Sequence, residues 1–271
     1  MAQTTIVSVV SVNYLAENIL RIEIDRPDGF NFKPGQFARI GINPNNDCPD
    51  RIWRAQTIVS RAGEYKNLAF YIIYIEGKPF SDALKKIKSG DEIYLDAVPY
   101  GHFTLDRFDF GGDLWLFSTG TGVAPYLCML QQEKIWKNFS TITLICSFRD
   151  QTQFVYCDTL PLELEKLTDF QSKNYKKFSF IPIYTREKNV SDCIVRGVKT
   201  RNTISREYFE KLITNGELKS ILENSISTIN SKIMLSGNPN MIKTTRDFLK
   251  TLGLRSSRRN DPGHIAVENY W

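Results

Sequence analysis

The sequence predicts two domains in tandem: an N-terminal six-stranded antiparallel β-barrel, then a doubly wound α/β domain built on a parallel sheet. Three observations carry this. From Thr5 to about Val98 the chain reads as six short runs rich in Val, Ile, Tyr and Phe, separated by Gly, Pro, Asn and Asp turns. That is the pattern of a closed antiparallel barrel, not of βαβ units. From Asp113 onward strand-like apolar runs alternate with helical stretches, as in a parallel sheet with helices on both faces. Between the two patterns, Gly111-Gly112 places the boundary near Asp106–Gly112, giving domains at 1–106 and 107–271.

In the first half the expected strands are Ile6–Tyr14, Ile19–Ile24, Gln36–Ile42, Arg54–Val59, Leu68–Ile75 and Glu92–Ala97. One helix, Phe80–Ile87, interrupts them, with Ser81 near its start as a cap. In the second half strands are expected at Leu114–Phe117, Ile142–Phe148, Phe178–Tyr184 and Ile233–Leu235. Helices are expected at Pro125–Trp136, Leu160–Leu167, Ser205–Thr214 and Pro239–Leu252. Alternating apolar residues from His264 to Trp271 suggest a last strand that ends on two aromatics.

Composition narrows the class. The 271 residues are 42% hydrophobic and 24% charged, which describes a globular chain with ample material for two cores. A net charge of +5, without an arginine-rich block, is too small an excess for nucleic-acid binding, but on one face it could attract an acidic protein. Five cysteines without a CxxC pair, and only two histidines, indicate neither a disulfide framework nor a metal site. No apolar run has the length of a membrane span, and Met1–Thr5 lacks the basic and apolar regions of a secretory signal. A cytoplasmic monomer is expected.

The stretch around which the chain is organised runs from Phe117 to Pro125. Its glycines, Gly120 and Gly122, permit a tight turn and close approach of a ligand to the backbone. Pro125 suits a first helical turn, whose free N–H groups favour an anion such as a pyrophosphate; an ordinary strand-to-helix connection has the same residues. In parallel sheets ligands gather at the carboxyl ends of strands. Gly120–Pro125, Ser147–Arg149, Thr185–Arg186 and Ser236–Asn240 all fall at such ends, which makes Arg149 and Arg186 candidates for gripping a phosphate. In the barrel, Arg54 and Thr57 lie three apart on one strand, hence on opposite faces. Gly77-Lys78-Pro79-Phe80-Ser81 could present N–H groups and a hydroxyl to a phosphate, or simply cap a helix.

Taken together, these residues resemble the ferredoxin/flavodoxin–NADP+ reductases of the short bacterial type, nearly end to end. The resemblance rests on Phe32–Phe37, Arg54–Thr57, Gly77–Ser81, Gly120–Pro125, Ser236-Gly237-Asn238-Pro239-Asn240-Met241 and Pro262-Gly263-His264 with Glu268-Asn269-Tyr270-Trp271. It implies an FAD-binding barrel followed by an NADP(H)-binding domain with a tail that covers the flavin. By this likeness Arg54 holds the FAD pyrophosphate, with Ala55 and Gln56 beside it and Thr57 near the flavin N5. Gly77, Lys78, Ser81 and Thr121 complete the FAD contacts. Gly120, Thr121 and Gly122 receive NADP, with Gly237, Asn238 and Pro239 opposite and Arg149 and Arg186 gripping phosphate. Arg186 corresponds to the arginine that selects the 2′-phosphate, and the second such arginine is Arg196, Arg201 or Arg206, unranked. Tyr270 lies against the isoalloxazine and Trp271 near the adenine. Glu268 supplies or relays the flavin proton, the alternative being a structural salt bridge.

Two residues depart from the family pattern. Gln56 stands where the family usually has Tyr, which could loosen FAD or shift its potential. Ser236 stands where a Cys is common, and is expected to tune nicotinamide placement without abolishing activity, since the flavin carries the chemistry. The implied function is electron exchange between NADP(H) and flavodoxin or ferredoxin, by hydride transfer between nicotinamide and FAD N5 and one-electron transfer to the protein acceptor. That acceptor would dock transiently and electrostatically. The alternatives are an NAD(P)H flavin reductase and a non-catalytic flavin- or nucleotide-binding module of the same fold. The lack of a four-cysteine iron–sulfur module argues against a fused oxygenase reductase.

Overall fold

A computed structural model describes residues 3–44, 51–63, 66–157, 160, 164, 178–186, 193–195, 198–200, 203–204, 209–214, 225–258 and 261–269. The chain forms two compact units. The first takes the described residues of Met1–Thr104 together with Ala124–Met129, and the second takes those of Leu105–Val123 and Leu130–Trp271.

The first unit is an antiparallel sheet of six strands: β1 (Thr4–Ala16), β2 (Ile19–Asp25), β3 (Phe37–Ile42), β4 (Ile52–Thr57), β5 (Asn67–Ile73) and β6 (Glu92–Asp96). Their order is β4-β3-β6-β1-β2-β5. The sheet closes just beyond β4, where Ile58 bridges Phe70 and the Val59 N–H donates to the Ala69 carbonyl at 2.9 Å. Closure removes the edges that an open antiparallel sheet would expose. Alternate residues of β2 and β3, such as Leu20, Ile22, Ile24, Ala38, Ile40 and Ile42, fill the interior with Phe70, Ile93 and Leu95. Helix α1 (Pro79–Leu84) packs against β3 and β4.

Helix α1 begins differently from expectation. Its N-cap is Lys78, which makes no side-chain cap, and Pro79 takes the first helical position, where its fixed φ and missing N–H cost nothing. Ser81 therefore lies inside the first turn. Its buried Oγ accepts a hydrogen bond from the Ile75 N–H at 3.1 Å and ties the preceding loop to the helix.

The second unit is built on a parallel sheet of β7 (Asp113–Thr119), β8 (Thr141–Phe148), β9 (Phe178–Tyr184), β13 (Ser231–Gly237) and β14 (Ile265–Asn269), ordered β9-β8-β7-β13-β14. Three short strands extend it at β9: β10 (Cys193–Val195), β11 (Val198–Thr200) and β12 (Thr203–Ile204). The order reverses between β7 and β13, which is the switch point where such sheets bind ligands. Helices α4 (Phe209–Thr214) and α5 (Pro239–Thr251) pack together over Trp115, Phe117, Ile145, Ile233, Leu235 and Ile265. Helix α5 forms because both ends are specified. Asn238 caps its start, buried Met241, Ile242, Thr245 and Leu249 make one stripe, and the Leu254 and Gly253 N–H groups close on the Leu249 and Lys250 carbonyls.

The helix expected at Pro125–Trp136 is two helices, α2 (Ala124–Leu130) and α3 (Glu133–Asn138). Gln132 is extended (φ −94°, ψ 128°), and the buried Trp136 Nε1 donates at 3.0 Å to the Leu130 carbonyl that the break leaves open. Helix α2 packs with the barrel, carrying Cys128 into the barrel core. Of the helix expected at Leu160–Leu167 only Leu160 and Leu164 are described, and the one expected at Ser205–Thr214 is described only from Phe209. No described helix is long and apolar enough to cross a membrane.

Candidate functional site

In the barrel, the predicted residues Arg54, Ala55, Gln56 and Thr57 occupy the end of β4, in regular register with β3: Ile40 opposite Arg54, Ala38 opposite Gln56 and Phe37 opposite Thr57. Arg54 and Gln56 thus share the side of the inward-facing Ile40 and Ala38, while Thr57 faces the other way, as the three-residue spacing requires. Arg54 is exposed and donates from Nη1 to the Trp53 carbonyl at 2.8 Å, with no acidic partner among the described residues. Thr57 is buried. Contact between α1 and β4 brings Gly77, Lys78 and Ser81 beside this strand. Gly77 (φ +72°) and Lys78 are exposed, and the Ser81 hydroxyl, having accepted from Ile75, keeps its own proton to donate.

In the second unit, register puts the remaining predicted residues on one end of the sheet. Ser236 aligns with Ser118 on β7 and with Glu268 on β14, Thr119 aligns with Ser147, and Phe148 aligns with Tyr184. Gly120–Val123 form a tight 3₁₀ turn at the end of β7. A Cβ on Gly120 (φ +53°) would meet nothing within 4 Å, so ligand can come close to the backbone there. Thr121, by contrast, is buried in the turn.

The turns after β7 and β13 interlock. A Cβ on Gly122 would stand 2.6 Å from the Ser236 carbonyl oxygen, and one on Gly237 (φ +123°) 2.3 Å from Thr119 Oγ1. The Asn238 N–H donates to that same Thr119 Oγ1 at 2.8 Å. Asn238 Oδ1 accepts from the Asn240 and Met241 N–H groups at 2.8 and 3.3 Å, so the predicted ligand residue acts as helix cap through its side-chain oxygen. Sequence reasoning passes over Thr119, whose partner lies 119 residues away; the only signal is a hydroxyl at the last position of a strand.

Ser236 is fully buried, and its Oγ has no hydrogen-bond partner. A buried hydroxyl left unpaired costs about 1–3 kcal/mol, so this one is spare capacity at the strand end. Ser118, also fully buried, instead donates to Cys146 Sγ at 3.0 Å. Glu268 is half-buried alongside. Arg149 and Arg186 are exposed at the ends of β8 and β9, and the Arg186 N–H donates to the Arg149 carbonyl at 2.8 Å. Both guanidiniums lack an acidic partner among the described residues, so two fixed positive charges stand side by side. Arg196, Arg201, Arg206, Tyr270 and Trp271 lie outside the described residues. No group of three or more potential metal ligands occurs among the described residues.

No protein-family model matches the chain. It is similar to a flavodoxin/ferredoxin–NADP reductase from Buchnera aphidicola subsp. Schizaphis graminum, 33% identical over 247 residues, which is 89% of this chain and 88% of the relative. A protein of the same name from Buchnera aphidicola subsp. Baizongia pistaciae is 30% identical over 264 residues, 97% of each. Among solved structures, a ferredoxin NADP+ reductase from Neisseria gonorrhoeae with bound FAD and NADP is 29% identical, with a TM-score of 0.83 over 99% of both chains. The second and third of these matches cover 97% and 99% of this chain, more than either unit alone. The chain belongs to the flavodoxin/ferredoxin–NADP reductase family.

Proposed function

We propose that the protein exchanges electrons between NADP(H) and ferredoxin or flavodoxin, with FAD as its resident cofactor. Family membership supports this, as does the Neisseria gonorrhoeae relative, which binds FAD and NADP. The observation that carries the reading within this chain is the gathering, at one end of the parallel sheet, of an open glycine turn, two arginines with no acidic partner among the described residues, and a buried unpaired hydroxyl. When bound, FAD supplies the conversion between a hydride pair from nicotinamide and single electrons for the protein partner.

The residues present fit both groups. Residues 1–106 form the flavin half and 107–271 the nucleotide half in this reading, with Ala124–Met129 packed into the former. Exposed Arg54 and Lys78 neutralise the FAD pyrophosphate, Ser81 donates its hydroxyl proton to it, and Gly77 leaves the approach clear. Ala55 and Gln56 border the flavin, Thr57 stands near its reacting edge, and Thr121 adds an FAD contact. The open backbone at Gly120, with Thr121 and Gly122, takes the NADP pyrophosphate, while Arg149 and Arg186 clamp the 2′-phosphate. Gly237, Asn238 and Pro239 wall the nicotinamide side. Ser236 would orient the nicotinamide through its spare hydrogen bond, and Glu268 would supply or relay the flavin proton. Tyr270 and Trp271 keep the flavin-covering roles that the resemblance implies.

The net charge of +5 suits a transient, salt-sensitive encounter with an acidic carrier protein. A cytoplasmic monomer belongs to the same reading, and gel filtration tests the oligomeric part. The deciding experiment is an anaerobic absorbance titration, first with NADPH and then with NADH. Ready bleaching of a flavin spectrum by NADPH and poor bleaching by NADH supports both the cofactor and the arginine pair. A protein that carries no flavin and takes up none from added FAD defeats the reading.

A further inference from the structure

The interlocked turns after β7 and β13 meet through few atoms. Among the described residues, one side-chain hydrogen bond joins them: the Asn238 N–H to Thr119 Oγ1, at 2.8 Å. Around it the backbones are in direct contact. The hypothetical Cβ of Gly237 would lie 2.3 Å from Thr119 Oγ1, 2.8 Å from the Thr119 carbonyl oxygen and 3.0 Å from the Thr119 nitrogen. The hypothetical Cβ of Gly122 would lie 2.8 Å from the Gly237 Cα. Each glycine removes the bulk that would separate the turns, and the threonine hydroxyl fixes their register.

Among the described residues, the other hydrogen bonds of Asn238 all run to its own helix, its carbonyl accepting from the Ile242 N–H at 3.0 Å. Its Oδ1 is committed to the Asn240 and Met241 N–H groups, so the cap fixes Asn238 to α5 but not to the sheet. The Thr119 hydroxyl supplies the missing link, from the strand that ends in Gly120 to the residue that starts α5.

We propose that Thr119 is a positioning residue for the dinucleotide. Its hydroxyl sets the spacing between the Gly120 turn and the Gly237–Asn238 turn, and so the width of the slot that receives the pyrophosphate and nicotinamide. This rests on the NADP(H)-binding reading of this sheet end. Thr119 need not touch the ligand: with the hydroxyl removed, Asn238 shifts, the Gly237 wall moves with it, and the ligand must restore the spacing at the expense of its own affinity.

The test uses Thr119→Ala and Thr119→Val, which delete the acceptor in two shapes, and Thr119→Ser, which restores it. The loss of one net hydrogen bond of about 1 kcal/mol corresponds to roughly a five- to tenfold change in an equilibrium constant. In calorimetric titration with NADP+, the Ala and Val variants are expected to bind about five- to tenfold more weakly, with Ser within twofold of the parent. In steady state with ferricyanide, KM for NADPH rises by the same factor while kcat at saturation and FAD content stay unchanged. Unchanged NADP+ affinity in Ala and Val overturns the proposal, as does an equal loss in all three variants, because the hydroxyl restored in Ser would then not restore affinity. Failure of the parent protein to bind NADP+ at all counts against the nucleotide reading instead, so the two failures are told apart.

Discussion

Replacing Gly237 with alanine tests how closely the two turns are packed. Two costs add. At φ +123° an L-residue is strained, which costs about 1–2 kcal/mol. The new methyl would stand 2.3, 2.8 and 3.0 Å from three atoms of Thr119, two of them backbone, and overpacking of this kind costs about 1–3 kcal/mol. Gly237→Ala should thus lose about 2–5 kcal/mol. With a urea dependence of about 2 kcal/mol per molar, the unfolding midpoint falls by about 1–2.5 M. Gly120→Ala is the control: its φ is also positive (+53°), yet its Cβ would meet nothing within 4 Å, so the backbone cost of about 1 kcal/mol stands alone. Adding Thr119→Ala to Gly237→Ala removes the nearest clash but leaves the two backbone ones, so the double variant should regain only part of the loss. The assay is urea denaturation followed by circular dichroism. Equal midpoints for Gly237→Ala and Gly120→Ala would refute the reasoning, because the crowding of the methyl at Gly237 is absent at Gly120.

Three further perturbations follow from named groups. Burial pushes the Cys128 thiol from 9.0 up to about 12, with a backbone hydrogen bond from Gly35 opposing. The unfolded thiol ionises first, so this contribution to stability is intact below pH 9 and declines by about 1.4 kcal/mol per pH unit from there toward 12. Alkaline stability curves of the parent and Cys128→Ala should therefore diverge in slope above pH 9, and parallel curves would sink the idea. Tyr100 donates to Asp96 Oδ2 at 3.0 Å, and Arg39 stands 3.5 Å from the same oxygen of a carboxylate only 3% exposed. Desolvation and then this bond raise the Tyr100 pKa, so the phenol keeps its proton, and Tyr100→Phe should cost about 1.5–3 kcal/mol in urea unfolding; a change below 0.5 kcal/mol, about the size of an ordinary surface substitution, would count against the bond. Ser236→Ala removes a buried hydroxyl with no partner, so stability should rise by about 1–3 kcal/mol while NADPH bleaches the flavin about tenfold more slowly. Unaltered bleaching in stopped flow would end the nicotinamide-orienting role.

The longer strands were legible because each carries its own signal. The alternation in β2 and β3 and the apolar runs of β7 and β8 specify element type without help from elsewhere in the chain. The break at Gln131-Gln132 was not legible, since every residue from Pro125 to Trp136 is compatible with helix; what decides it is a tertiary bond from the Trp136 indole to the Leu130 carbonyl. Strands of two or three residues, such as β10 to β12, are too short to show a period. Ser81 looked like a cap because serine often is one, yet Pro79 sets the helix start and the hydroxyl serves Ile75. For the site, the sequence places Arg149 and Arg186 at strand ends, but their adjacency comes from the pairing of Phe148 with Tyr184, a register no local pattern encodes.

Counting donors separates two turns that look alike in sequence. Both the Gly120 and Gly237 turns precede a helix, and both read as phosphate cradles by the usual argument that helix N-termini present free amides. After β13 those amides are spent. Asn238 donates to Thr119, Asn240 and Met241 donate to Asn238 Oδ1, Ile242 donates to the Asn238 carbonyl, and Pro239 has no N–H. An anion at that end would find no amide to accept from, so the β13 turn acts by shape, as a wall against which a flat ring can lie. In the proposed reading, charge recognition falls to the open Gly120 turn and to Arg149 and Arg186, all at the ends of β7, β8 and β9. Substitutions on the β13 side should accordingly alter NADPH and NADH alike, whereas loss of Arg186 should weaken NADPH and spare NADH. One pair of titrations on Gly237 and Arg186 variants therefore divides the site into its steric and its electrostatic half.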